Sequence, residues 1–126
     1  MWAALQDPGF LVFYQDLHDG RYSRDEDWEP MLSAVRYLQS QPYASELFAF
    51  TSLAHFHVTT ASTFEACAGH HSVGITWAFA ERRFHLRYHT GGWITNRPPE
   101  IVCNETTLGA AVDAFVQRLL MTSPTR

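Results

Sequence analysis

Six of the seven histidines in this 126-residue chain fall between His55 and His89. Imidazole is the side chain whose ordinary pKa lies nearest neutrality, so it can carry a proton, ligate a metal or pair with an anion. His55 and His57 are two residues apart, and His85, Arg87 and His89 repeat that spacing. Alternate residues of an extended strand share one face. The spacing therefore predicts imidazole patches on strand surfaces, one of them with a guanidinium in its middle.

Distance limits what such patches can do. Residues two apart on a strand lie ~7 Å apart and residues four apart ~13.5 Å, whereas zinc–imidazole bonds are ~2.0–2.1 Å. His55 and His57 could chelate one ion together with one further ligand, but all four histidines could not share it. No carboxylate is placed to help. The expectation is therefore no metal and no cofactor, with a binding surface made of His55, His57, His85, Arg87, His89 and Trp93. A small metal-dependent or histidine-based enzyme at His55, His57 and a hairpin histidine is the alternative.

Three other groupings carry chemistry-bearing residues. Cys67, His70 and His71 lie close together in a loop of small residues, where a thiolate and an imidazole could act as nucleophile and base. The motif lacks the second cysteine of a haem attachment or a zinc finger, and a buried thiol is the expectation for both Cys67 and Cys103. Asp16, His18, Asp19 and Gly20 resemble an acid–base cluster, but His before Gly is ordinary helix-ending chemistry. Trp93 follows two glycines and precedes Pro98 and Pro99, so it reads either as an exposed anchor or as a lid over the core. No phosphate-binding loop, dinucleotide fingerprint, nucleophile elbow or paired-histidine protease motif is present.

Composition bounds the rest. The chain is 46% hydrophobic and rich in aromatics, enough for one core and of a size typical of one domain. Its net charge is −4. Six acids and two bases lie between Gln15 and Pro30, a stretch that accounts for the whole imbalance. A weakly acidic chain without a basic tail argues against nucleic-acid binding. No apolar run reaches a membrane span, and the N-terminal residues do not read as a signal peptide. A cytoplasmic protein is the default expectation. All nine basic residues are arginine, which a GC-rich coding sequence explains as well as a need for bidentate pairing does.

The elements that must position these residues read as α+β. Helices are predicted over about 8–19, where Asp7 caps, Pro8 follows and Gly20 ends the run, and over about 28–41, where Trp28, Leu32, Val35 and Leu38 form one stripe. A strand is predicted over about 48–60, with Phe48, Phe50, Phe56 and Val58 on one face and Leu53, His55, His57 and Thr59 on the other. An antiparallel hairpin follows, with strands over about 72–80 and 83–90. A turn at Glu81 and Arg82 would pair Phe79 with Phe84, Trp77 with Leu86 and Ile75 with Tyr88. It would set Ala78 opposite His85, Thr76 opposite Arg87 and Gly74 opposite His89. A short strand over about 100–103 and a helix over about 107–121, capped by Thr106 or Thr107, complete the chain. The expected fold is an antiparallel sheet of three to five strands with the helices packed on its aromatic face.

These expectations converge on a non-enzymatic, bacterial-type binding protein. Its histidine- and arginine-bearing sheet face would meet a protein partner, a small anion or a second copy of the chain as a homodimer.

Overall fold

The computed structural model describes residues 1–91 and 97–122. Trp93, one of the expected binding residues, lies outside them. Each helix begins where a side chain takes up exposed backbone N–H groups. The Asp7 carboxylate accepts from Gly9 N–H at 2.7 Å to open α1 (Gly9–Asp19), and Asp27 accepts from Glu29 N–H at 3.0 Å to open α2 (Glu29–Ser40). At the last helix, α3 (Leu108–Met121), the cap is Asn104 rather than either threonine. Its Oδ1 accepts from both Thr106 N–H and Thr107 N–H at 2.9 Å. Helix α2 stops at Gln41, which is extended ahead of Pro42, and the chain continues as a 3-10 turn over Pro42–Glu46. The hydroxyls of Tyr37 and Tyr43 both donate to Asp113 at 2.6 Å, fastening α2 and this turn to α3. Gly109 permits the approach, because a Cβ there would stand 3.1 Å from the Tyr37 ring.

The sheet has six antiparallel strands in sequence order, not three to five. They are β1 (Trp2–Ala4), β2 (Phe48–Ser52), β3 (His55–Thr59), β4 (Ser72–Ala78), β5 (Arg83–His89) and β6 (Glu100–Cys103). The extra strands have two sources. Three N-terminal residues pair with β2, too short a run to show a period. The single strand expected over 48–60 is in fact a hairpin, turning at Leu53 and Ala54 between the Ser52–His55 pair.

That turn changes the faces. Phe50 pairs with His57 and Phe48 with Thr59, so both phenylalanines share the histidine side instead of pointing away from it. Ala49, Phe56 and Val58 take the core side. Leu53 sits at φ 57°, in the left-handed region that glycine and asparagine favour. The usual turn signal is therefore missing from the sequence.

The second hairpin differs from expectation in register. Trp77 pairs with Phe84, Ile75 with Leu86 and Val73 with Tyr88, leaving residues 79–82 as the loop. Phe79 lies in that loop, where its ring packs edge-on against Trp28 at 4.8 Å. Arg82, at φ 54°, lies over the Trp77 ring at 5.1 Å and pairs with Asp27 at 3.8 Å. The shift is two residues, so every side chain keeps its face. Partners change instead: Thr76 faces His85, Gly74 faces Arg87 and Ser72 faces His89.

One buried cluster joins Phe56, Val58, Val73, Ile75, Trp77, Phe84, Leu86 and Tyr88 of the sheet to Phe10, Tyr14, Leu32, Val35, Val112 and Phe115 of the helices. Phe10 meets Phe56 edge-on at 5.1 Å, and Phe115 meets Tyr88 at 5.7 Å. The opposite sheet face carries a second, smaller cluster. There Cys67, just within a 3-10 turn over Glu65–Gly69, is buried with Ala61 against Phe50, with Trp2 and Ala66 packed beside them. That segment covers the β1–β2 side of the face. No helix among the described residues is long and apolar enough to cross a membrane.

Candidate functional site

A single row crosses all six strands on the histidine face: Trp2, Phe50, His57, Gly74, Arg87 and Glu100. Its first half is an aromatic stack. Trp2 and Phe50 lie 4.3 Å apart at 10°, and Phe50 and His57 lie 4.6 Å apart at 7°. Its far end is an ion pair, Arg87 Nε to Glu100 Oε2 at 2.7 Å. Between them stands Gly74, which contributes no side chain.

The gap above Gly74 is a cavity of about 110 Å³ lined by His55, His57, Gly74, Thr76, Arg87 and His89. A Cβ at Gly74 would sit 3.2 Å from two atoms of the His57 ring and 3.4 Å from His89 Nε2. The glycine thus keeps the floor open between two imidazoles whose ring centres are 6.0 Å apart. His89 leans in from the neighbouring row of β5. On the other side His55 is steered by a 2.7 Å hydrogen bond between its Nδ1 and Thr76 Oγ1. Four of the expected binding residues, His55, His57, Arg87 and His89, therefore come together.

His85 does not join them. It shares the sheet face, but its ring nitrogens lie 3.2 Å from Glu81 and 3.6 Å from Glu100. Thr76 and Gly74 enter the site as small residues facing large β5 side chains, a juxtaposition the alternation of the hairpin already implied. The observed register changes only their partners, setting Thr76 opposite His85 and Gly74 opposite Arg87.

The electrostatics differ from those of a cationic patch. Burial, reinforced by His89 and His55, pushes His57 down to about 4. Burial and the neighbouring Arg87 charge also lower His55 and His89. Desolvation disfavours the imidazolium, and each like charge adds to that penalty. At neutral pH the pocket thus presents uncharged imidazoles, with Arg87 as its one fixed cation. That charge is matched outside the cavity by Glu100. Among the described residues no three His, Cys, Asp or Glu side chains lie close enough to hold a metal ion.

The remaining sequence groupings have structural partners. The Cys67 thiol is buried, and burial pushes its pKa up, away from the thiolate a nucleophile needs. His70 Nδ1 lies 2.8 Å from Thr60 Oγ1. His71 Nδ1 lies 2.8 Å from the Tyr88 hydroxyl and 3.0 Å from Thr122 Oγ1, and the last two are 2.9 Å apart. This triangle fastens the end of α3 to the sheet, with Arg118 over the Tyr88 ring at 4.2 Å. His18 accepts from Trp28 N–H at 3.1 Å and lies 3.6 Å from Asp27, bracing the connection between α1 and α2. Compared with protein-family models, curated proteins and solved structures, the chain matches none of them.

Proposed function

We infer that the chain is a non-enzymatic binding module that holds a small polar ligand in the cavity above Gly74. The observation carrying this reading is convergence: three imidazoles, a hydroxyl and a guanidinium, drawn from three strands, surround one hollow that a single methyl group would obstruct. Specific small-molecule sites pair a concave surface with a few converging polar groups. A flat protein interface has no need of such a hollow, so a small guest fits this surface better than a protein partner does.

The test is a screen of small polar fragments, followed through the ring and backbone resonances of His57 and His89. Binders should move those signals in the native chain. In Gly74→Ala, which puts a methyl against both rings, they should lose at least about tenfold in affinity, equivalent to ~1.4 kcal/mol. A screen in which no fragment perturbs either histidine would overturn the reading.

A further inference from the structure

We propose that the guest of this pocket is a small oxyanion, of the formate, acetate or phosphate class, and that it enters together with a proton. The inference rests on the ligand-binding reading and adds the charge of the ligand and its stoichiometry with H⁺. Size comes first. A hollow of about 110 Å³, open to solvent on one side, takes a group of a few heavy atoms between the rings.

Polarity comes next. The lining offers imidazoles, a hydroxyl and a guanidinium, and it contains no carboxylate. Arg87 commits Nε to Glu100, whereas a guanidinium carries five N–H donors in all. A cation would meet the Arg87 charge with no carboxylate lining the cavity to balance it. An anion meets the remaining Arg87 donors, and each neutral imidazole carries one N–H.

Proton uptake follows from the neighbours of the rings. From β3 the pocket receives His55 and His57, and from β4 only the non-titrating Gly74 and Thr76. From β5 come Arg87 and His89, and Glu100 of β6 stands behind Arg87. Phe50 of β2 stacks on His57 and carries no charge. Empty, both rings are held neutral by burial, reinforced at His57 by the His89 and His55 rings and at His89 by Arg87. An anion between His57 and His89 reverses the sign of that environment and favours the imidazolium. The proton taken from solvent goes to one of those rings, so charge is conserved in the site.

The experiment compares sodium formate with formamide, its neutral near-isostere, on the intact chain at matched ionic strength. The His57 and His89 ring resonances are followed between about pH 7 and about pH 5.5. One proton per anion makes formate bind roughly tenfold tighter for each unit of pH decrease, and a bound ring should take imidazolium shifts. Formamide should bind weakly and without pH dependence. Formate binding that does not vary with pH, or formamide binding as tightly as formate, would overturn the oxyanion inference and leave the ligand-binding reading standing. If neither probe moves the rings while another fragment does, the inference falls alone. If no compound of any kind moves them, both fall.

Discussion

The two faces of one sheet are built on opposite rules. On the core side Val73, Ile75 and Trp77 stand opposite Tyr88, Leu86 and Phe84, and every one of them is buried. On the other side the partners of β5 are Thr76, Gly74 and Ser72, small residues facing His85, Arg87 and His89. Large against large fills space, which a core requires. Small against large leaves a hollow, and here the hollow is rimmed by nitrogen. The same backbone ladder thus supports a packed interior and a polar cavity, and the pairing of sizes across the strands decides which.

The contrast is broken most severely by truncating the packed side. Phe56 is fully buried beneath Phe10 and Tyr14, so Phe56→Ala should cost about 3–5 kcal/mol in denaturant unfolding. A loss below about 1 kcal/mol would mean that the sheet does not depend on that packing.

A second prediction separates the faces by acid. His57 titrates near 4 when folded, against an ordinary value of ~6.5 for an unfolded chain. Its folded pKa is depressed, so between those values the unfolded chain binds more protons. Stability is therefore greatest above about 6.5 and declines as pH falls toward 4, by roughly 3 kcal/mol from this group. His57→Phe, which would extend the Trp2–Phe50 stack, should flatten that decline in pH-dependent melting curves. An unchanged slope would assign the acid sensitivity elsewhere.

The smallest effect sharpens the placement of the histidine face. Leu53 is 88% exposed and holds positive φ in the turn that sets the parity of β2 and β3. Leu53→Gly should relieve the left-handed strain and raise stability by up to about 1 kcal/mol. Destabilisation by this change would argue against a two-residue turn there.

The chain was legible where side chains repeat. The stripes of α2 and α3, the alternation of β4 and β5, and the cap at Asp7 all follow from spacing and local chemistry. The grouping of His55 and His57 with Arg87 and His89 on one face was equally readable, because period two survives any register shift of two residues. The hairpin at Leu53 and Ala54 was not, since a leucine in the left-handed region carries no turn signature. Strand β1 was hidden by its brevity.

Residue types and their period, then, determined which faces are apolar and which carry imidazole. Only the tertiary structure decided who stands opposite whom. The hairpin register differs by two from the expected one, with Phe79 in the loop against Trp28, and sets Gly74, not Thr76, opposite Arg87. That register places Gly74 at the floor of the cavity, between His57 and Arg87. It goes with a contact between a hairpin loop and the residue preceding α2, about fifty positions away in the chain, and no local pattern encodes such a distance.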